Sequence, residues 1–415
     1  MKILLSHPTG NEFVRAAVNG LNRAKLLSGF RTTIGAFEGN IFHRLSNLGP
    51  FAEFARRKYV PEIAHLTKMS PWRELGRHAS YKFGLNNLVR HETGIFSIDA
   101  VYRNLDKKVA TELKHNKTGE TDTVYAYEDG ALFSFREAKK KGMNCFYDLP
   151  IGYWKAARHM LEPEKDRWPD WINTLPGVND SEYKLAAKDE ELQLADRIFV
   201  ASRFTAQTLK YFTGNLPVPE VIPYGFPPIT VQRGYRSITP GRPLKLLFVG
   251  SLSQRKGIAD IFAAVKTFGL HVELTLIGRK IGQGSSPLNE ELARHTWIPA
   301  LPHQGILKMM REHDVLLFPS LFEGFGLVIT EAMSQGTPVI TTERTAGPDI
   351  IENGRNGWLI NAGSTDALRE AISHILENTA MLATAGREAM ETARQRTWQN
   401  YGDELAKKMV LNLVS

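Results

Sequence analysis

The sequence predicts an α/β chain of two doubly wound domains that face a central cleft. Short apolar segments alternate with helical patterns along most of the 415 residues, and one stretch rich in proline and glycine interrupts the alternation. Strands that alternate with helices form mostly parallel sheets covered by helices on both faces. Because such sheets bind ligands beyond the carboxyl ends of their strands, we expect both domains to present those ends to the cleft.

The first domain is predicted to span residues 1–225. Strand and helix patterns alternate within it, and Ser202 follows the last strand as the expected N-cap of a helix. The expected strands are 2–6, 123–127, 144–148 and 197–201, and the expected helices are 13–27, 132–141 and 182–195.

Ten Pro and Gly residues between positions 215 and 243 indicate a connection, and we place the linker at 226–243. The second domain is predicted to span 244–398, and a helix over 399–415 is expected to return toward the first domain. The second domain's expected strands are 245–249, 272–277, 296–298, 315–318 and 338–341, and its expected helices are 257–268, 304–312, 326–335 and 365–377.

The composition bears on where the chain works. It is 42% hydrophobic and 23% charged, yet no apolar run reaches the roughly 18–20 residues needed to span a bilayer. The first residues lack the pattern of a secretory signal. The only cysteine, Cys145, excludes an internal disulfide and suits a reducing compartment. We therefore expect a cytoplasmic protein.

The strongest motif runs from 318 to 332, where a buried strand ends, a glycine-containing loop follows and a helix begins. The free amides at the start of that helix favour an anion such as diphosphate. Glu323 in the loop and Glu331 in the helix are placed to bracket an elongated ligand by accepting hydrogen bonds from its hydroxyl groups. The amides belong to Phe325, Gly326 and Leu327.

A second motif follows the strand at 245–249. Gly250 forms a turn there, and the adjacent cations Arg255 and Lys256 precede a helix. A guanidinium grips phosphate oxygens through a bidentate fork, and an ammonium supplies a compact charge. Neither G-x-x-x-x-G-K-[ST] nor a G-x-G-x-x-G after an opening strand is present, so ATP hydrolysis and nicotinamide chemistry lose support.

Together these motifs resemble the donor domain of family-4 retaining glycosyltransferases, the glycosyl transferases group 1. That family has the GT-B architecture of two Rossmann-like domains. The resemblance covers nearly all of residues 244–400 and includes Gly278, the run 353–359 and the seven-residue spacing of the two glutamates. It implies a nucleotide-sugar donor and retention of anomeric configuration.

The resemblance also implies roles for individual residues. Arg255 and Lys256 would hold the diphosphate, Glu331 would accept from ribose hydroxyls and Glu323 from those of the transferred sugar. Gly250 and Gly278 would line the donor site. A phosphate oxygen of the leaving group would take the acceptor proton.

The first half is similar to the family mainly over 190–202 and 221–225. Where the family often has a Gly-Gly turn after its first strand, this chain has Gly10 followed by Asn11, and Gly10 is the expected donor contact. Many members have a sugar-facing histidine at the end of a first-domain strand. Asp148 is our candidate for that place, and a capping role is an equal interpretation of it.

No Asp-x-Asp, His-Glu-x-x-His or cysteine pair is present in the sequence. We therefore predict metal-independent chemistry without a cofactor, the nucleotide sugar being a substrate.

Residues 41–91 carry nine Lys or Arg against three Asp or Glu. The basic run 56–58 beside Phe51, Phe54 and Tyr59 is similar to interfacial patterns. Three interpretations stay open: acceptor recognition, peripheral contact with the anionic inner face of a membrane, and a solvated cover over the first sheet. Nucleic-acid binding is not expected, since no recognition motif is present.

We expect transfer of a hexose from a nucleotide diphosphate sugar to a hydroxyl of a saccharide or lipid-linked acceptor, in surface polysaccharide or glycolipid biosynthesis. A sugar-nucleotide epimerase or a phosphorylase of the same fold is one alternative, and a non-catalytic binder of anionic surfaces is another. The sequence does not fix the nucleotide base, the sugar, the acceptor or the oligomeric state.

Overall fold

The computed structural model describes residues 1–46, 54–115, 120–175, 180–229, 233–235, 241–281 and 285–411. Its strands form two sheets, and every strand pairing among the described residues is parallel. The predicted architecture of two doubly wound α/β domains is confirmed.

The first sheet has the strand order β3-β2-β1-β4-β5-β6-β7, so successive strands run from β1 to one edge of the sheet and from β4 to the other. Its core strands are almost wholly buried, as expected for a sheet with helices on both faces. The strands are β1 (Ile3–Ser6), β2 (Leu27–Thr32), β3 (Thr67–Met69), β4 (Thr123–Tyr127), β5 (Asn144–Leu149), β6 (Arg197–Val200) and β7 (Glu220–Val221).

The second sheet has the order β10-β9-β8-β11-β12-β13, so successive strands run from β8 to one edge and from β11 to the other. Its strands are β8 (Leu244–Val249), β9 (Val272–Ile277), β10 (Thr296–Ile298), β11 (Val315–Phe318), β12 (Val339–Thr342) and β13 (Trp358–Ile360).

Helices cover both sheets. In the first part of the chain they are α1 (Glu12–Arg23), α2 (Ile41–Leu45), α3 (Trp72–Lys82), α4 (Ile98–Lys114), α5 (Leu132–Lys140), α6 (Trp154–Leu161), α7 (Glu164–Arg167), α8 (Glu182–Leu194) and α9 (Arg203–Thr208). In the second part they are α10 (Ile258–Val265), α11 (Ser286–Leu292), α12 (His303–Glu312), α13 (Leu327–Ser334), α14 (Gly347–Ile350), α15 (Thr365–Glu377), α16 (Met381–Gln395) and α17 (Trp398–Leu411).

The last helix, α17, packs against α1 of the first domain. A side chain at Gly20 would overlap the backbone of Gly402, so the two helices approach each other through glycines. Arg23 adds an exposed ion pair with Asp403 at 2.6 Å. The chain passes between the domains after Phe226 and again before α17. These two passages lie side by side, because Phe226 forms a β-bridge with Thr397.

One segment of the first half packs on the second domain. Trp171, in a 3-10 turn (Pro169–Thr174), stacks on Phe262 of α10 with ring centres 5.8 Å apart. Arg167 of α7 pairs with Asp260 at 2.8 Å. The sequence interpretation did not anticipate this excursion, because its residues are separated by about 90 positions from their partners.

Several single elements differ from the predictions, and one predicted cap is confirmed. The helix expected over 13–27 ends at Arg23, since Lys25 takes a φ of 57° and the chain enters β2 at Leu27. The strand β2 and the short strands β3, β7 and β13 were not predicted. Ser202 caps α9 as predicted, accepting a hydrogen bond from the amide of Thr205.

The interfacial pattern expected near residue 56 is wrong for its central residues. Phe54 is fully buried and Tyr59 is 8% exposed, so these rings belong to the core. The Arg57 guanidinium is also buried and pairs with Glu74 of α3. Phe51 lies outside the described residues.

Candidate active site

Two loops of the second domain bring together charged side chains that lie far apart in sequence. Arg255 and Lys256 lie in a 3-10 turn (Gln254–Lys256) after β8, and Glu323 lies in the loop after β11. Because β8 and β11 are parallel neighbours, their carboxyl ends lie at the same edge of the sheet. The structure thus places these three predicted residues in one cluster.

Both cations bind the same carboxylate. The Lys256 ammonium donates a hydrogen bond to Oε2 of Glu323, and Nη1 of Arg255 lies 3.2 Å from that oxygen. Nη1 of Arg255 also donates to the carbonyl oxygen of Phe322 at 2.6 Å. Among the described residues Glu323 is the only acid paired with either cation, so two cations share one acid and positive charge is in excess.

This excess charge lies in a poorly hydrated place. Lys256 is 8% exposed. Burial and the Arg255 guanidinium lower the pKa of the Lys256 ammonium, and contact with Glu323 opposes that effect. A cation removed from water interacts more strongly with an anionic ligand because the local dielectric is low. The cluster is therefore suited to hold a multiply charged anion.

The glycine loop beside the cluster is fixed by the first domain. A side chain at Gly324 would overlap the carbonyl oxygen of Pro150, and the Ser202 hydroxyl donates a hydrogen bond to the carbonyl oxygen of Gly324 at 2.5 Å. Gly326 has a φ of 88° and is the N-cap of α13. Such a conformation favours glycine.

Three backbone amides face the same end of α13. In the part of the chain that the structure describes, the amides of Phe325, Gly326 and Leu327 have no hydrogen-bond acceptor. Unpaired amides at a helix start, together with the helix dipole, attract anions. Their position after Glu323 adds a second anion-binding element to the cation cluster.

Glu331 lies one turn into α13, and its carboxylate is mostly removed from water. Burial raises the pKa of Glu331 to about 7, and the charge of Arg56 acts in the opposite direction. Oε1 of Glu331 lies 3.7 Å from Nδ1 of His303, the first residue of α12. Because Arg56 belongs to the first domain, its effect places Glu331 at the cleft between the domains.

The opposing wall is the turn after β1. Arg15 donates hydrogen bonds to the carbonyl oxygens of Gly10 and Arg56, which ties these two loops together. A side chain at Gly10 would lie 3.0 Å from the hydroxyl of Tyr59, so the turn has little space for a larger residue. The structure therefore places the predicted Gly10 beside Arg56, which acts on Glu331.

The remaining predicted glycines form the floor. Gly250 and Gly278 follow β8 and β9, and both have a φ of 153°. A side chain at Gly278 would overlap the carbonyl oxygen of Gly250, so the two turns are in direct contact. This contact explains why glycine occurs at position 278, and at position 250 the positive φ favours glycine.

Asp148 forms no hydrogen bond or ion pair with these residues in the part of the chain that the structure describes. Strand alternation turns its side chain to the face of β5 that packs toward α1 and α17. The Tyr125 hydroxyl donates to Oδ2 of Asp148 at 2.5 Å, and Oδ1 is buried without a partner among the described residues. Burial raises the pKa of Asp148 to about 7. The contacts of this side chain are those of a buried structural group.

Two residues beside Glu331 were not singled out from the sequence. Arg56 lies in the basic run 56–58, and His303 is one of twelve histidines in the sequence. The packing of α12 against α13 brings His303 to Glu331, and the charge of Arg56 acts on Glu331 from the first domain. No local pattern in the sequence carries that information.

One further polar cluster lies in the first domain. Ligand atoms of His91, Glu92 and Asp180 lie within 4.8 Å of one another. Protein donors already bind both carboxylates, since Ser181 donates to Glu92 and Lys184 pairs with Asp180 at 3.0 Å. These contacts account for the cluster.

Two parallel-sheet α/β domains that face a cleft form the GT-B class of fold. Sucrose-phosphate synthase from Thermosynechococcus elongatus has this arrangement with a TM-score of 0.63 and 17% identity, the alignment covering 99% of this chain and 97% of that one. Anabaena HepE in complex with UDP has a TM-score of 0.62 and 17% identity, with 99% of both chains covered.

Residues 236–392 match the family model of the glycosyl transferases group 1. The glycogen synthase of Mycobacterium tuberculosis is 28% identical over 166 residues, which are 38% of this chain and 39% of that protein. The sequence match therefore spans about two fifths of the relative. No helix of the described residues combines the length and apolar character needed to cross a bilayer.

Proposed function

We propose that the protein transfers a hexose from a nucleotide diphosphate sugar to a hydroxyl acceptor with retention of anomeric configuration. The observation that carries this proposal is the pairing of Arg255 and Lys256 with Glu323 beside the free amides that precede α13. Two cations on one acid leave positive charge for a diphosphate, and the adjacent carboxylates suit the hydroxyl groups of its two sugars.

In this proposal the donor enters with its diphosphate at the cation cluster. The amides of Phe325, Gly326 and Leu327 assist, and the hydroxyls of the ribose reach Glu331. When donor binds, the Lys256 ammonium is shared between phosphate and Glu323, which frees carboxylate oxygen for the transferred sugar. Charge that develops on the diphosphate is stabilised by groups that are already in place, a term that often dominates catalysis.

The bond changes balance without an additional reagent. The bond between the anomeric carbon and the diphosphate oxygen breaks, and a bond from that carbon to the acceptor oxygen forms. The acceptor proton passes to an oxygen of the leaving diphosphate. Retention and this proton transfer rest on the resemblance to family-4 enzymes, and they place no demand on a protein base at Asp148.

UDP-glucose is the first donor to test, because HepE, which shares the fold, has been crystallised with it. A ligand that binds only the folded protein raises its melting temperature by mass action. We expect one nucleotide sugar among UDP-, GDP- and ADP-linked hexoses to stabilise the wild-type protein. The Lys256→Met variant should lose most of this stabilisation, and Lys266→Met, at an exposed position in the same domain, should keep it.

Product analysis separates the proposed reaction from its rivals. An epimerase converts the donor when no acceptor is present, so mass and NMR analysis of donor alone should show an unchanged hexose. With acceptor, NMR should show the same anomeric configuration in product and donor. Absence of stabilisation by every nucleotide sugar would contradict the proposal, and epimerised donor would replace it.

A further inference from the structure

A segment of the first domain is buried on one side and exposed on the other. It joins β3, which ends at Met69, to α4, which begins at Ile98. In a parallel sheet a strand ends, and the following crossover helix begins, at the carboxyl edge. The intervening residues 70–97 therefore lie at the carboxyl edge of the first sheet, which is the edge that bears Gly10.

This segment exposes an unusual number of large apolar side chains. All seven residues from 81 to 87 are exposed. Trp72, Ala79 and Phe83 share one side of α3 because they are seven and four residues apart. We call the following exposed side chains the apolar tip: Trp72 (79%), Tyr81 (58%), Phe83 (71%), Leu85 (49%) and Ile95 (56%).

The backbone that presents the apolar tip is well anchored. Phe96 packs over Gly76 of α3 so closely that a side chain there would overlap its ring. Arg73 donates a hydrogen bond to the carbonyl oxygen of Ile95 at 2.5 Å, and the amide of Phe96 donates to the carbonyl oxygen of Leu88 at 2.8 Å. The apolar side chains are thus held outward by a folded support.

The charges around the tip are mainly positive. Residues 68–98 contain five Lys or Arg and two acids, Glu74 and Glu92. Glu74 is fully buried and paired with Arg57. Lys82 and Arg90 are exposed, and neither forms an ion pair with any residue in the part of the chain that the structure describes. Both cations are available to an external anion.

We propose that the apolar tip docks the protein on a lipid surface that contains anionic headgroups. Aromatic and aliphatic side chains enter the boundary between headgroups and acyl chains, while Lys82 and Arg90 pair with the headgroup phosphates. This combination of exposed apolar and basic groups on one segment is what interfacial binding requires.

A second copy of the chain fits this surface less well. A symmetric dimer through the tip would bring the unpaired cations of both copies together, and like charges at an interface oppose association. The whole chain carries a formal charge of +8, which adds to that repulsion.

Docking at this edge would bring the cleft to the membrane and select an acceptor that is anchored in it. This consequence rests on the proposed glycosyl transfer, whereas docking itself does not. The acceptor is then a lipid-linked molecule, and residues 70–97 bring the cleft to the membrane that holds it.

Vesicle co-sedimentation tests the docking directly. We expect the protein to bind vesicles of phosphatidylcholine with a minor fraction of phosphatidylglycerol, to bind pure phosphatidylcholine much more weakly, and to lose binding at high salt. Removing both charges in Lys82→Gln/Arg90→Gln should weaken binding about twenty-five-fold, since each cation near the surface contributes about a fivefold factor. Trp72→Ser/Phe83→Ser should weaken it by about tenfold or more.

Leu270→Ser is the matched control, because Leu270 is 96% exposed in the second domain. It should bind vesicles like the wild type. The rise in melting temperature on addition of the nucleotide sugar, measured on every variant, shows that the cleft is folded. If the proposed function is wrong, this rise is absent from the wild type as well, and vesicle binding still tests the docking. Unchanged vesicle binding in both double variants would overturn the proposal. So would a concentration-dependent dimer that the same variants dissociate, or salt-sensitive binding to RNA without binding to vesicles.

Discussion

Lys256→Met removes the buried ammonium from the cation cluster and leaves a side chain of similar length over the Phe318 ring. The ammonium lies 4.7 Å from the centre of that ring and donates to Glu323. Arg255 remains 3.2 Å from the same carboxylate, so Glu323 keeps one cationic partner. The substitution therefore removes the excess positive charge with little change in shape.

The expected loss follows from the contact that disappears. A hydrogen bond to a charged group contributes about 1.5–3 kcal/mol, and about 1.4 kcal/mol corresponds to a factor of ten, so kcat/KM should fall roughly ten- to a hundredfold. Charge on the diphosphate grows as the glycosidic bond breaks. Most of the loss should therefore appear in kcat, with a smaller rise in KM.

Initial rates of sugar transfer, with donor varied at saturating acceptor, measure this loss. Lys266→Met is the control and should have wild-type rates, since it makes the same substitution at an exposed site. Thermal unfolding of the ligand-free variants identifies any loss due to misfolding. The pair Lys256→Met/Glu323→Gln, which removes both charges, should unfold like the wild type and stay impaired. A folded Lys256→Met protein with wild-type kcat/KM would refute the electrostatic role.

Three other outcomes follow from the structure. Donor affinity measured by calorimetry should increase as pH rises through about 7. Burial raises the pKa of Glu331 to about 7, and only the ionised form accepts hydrogen bonds from both ribose hydroxyls. Glu331→Gln should remove that increase. Burial raises the pKa of Asp148 to about 7, so its contribution to stability is fully present below its unfolded pKa and is lost as pH rises toward 7. Asp148→Asn should therefore flatten the decline of the unfolding free energy with pH and leave kcat/KM unchanged. A large loss of activity in this variant would show that Asp148 takes part in the reaction. Gly20→Ala should destabilise the protein by about 1–3 kcal/mol in denaturant titrations, because the added carbon overlaps Gly402, whereas Gly305→Ala, with its nearest neighbour at 3.5 Å, should be neutral or stabilising.

Local sequence patterns were sufficient to predict the fold and the residues on the donor side of the cleft. Strands such as β8 and β11 are short apolar runs bounded by glycine or proline, and their period and length identify them without tertiary information. Arg255 and Glu323 each follow such a strand directly, so knowing that the two strands are neighbours is enough to place the side chains together.

The failures share a physical cause, which is dependence on contacts distant in sequence. Arg57 is buried because Glu74 neutralises it, and nothing within the basic run announces that partner. Asp148 occupies the end of a strand, as expected, but the tyrosines that surround it come from β4 and α17. Arg56 and His303 meet Glu331 only across the assembled cleft.

The most direct test of the central claim is a crystal structure of the protein with a bound nucleotide sugar, UDP-glucose being the first choice. We predict that the diphosphate lies within hydrogen-bonding distance of Arg255, Lys256 and the amide of Gly326, with the ribose hydroxyls at Glu331. A nucleotide bound elsewhere, with the two cations still paired only to Glu323, would contradict the account.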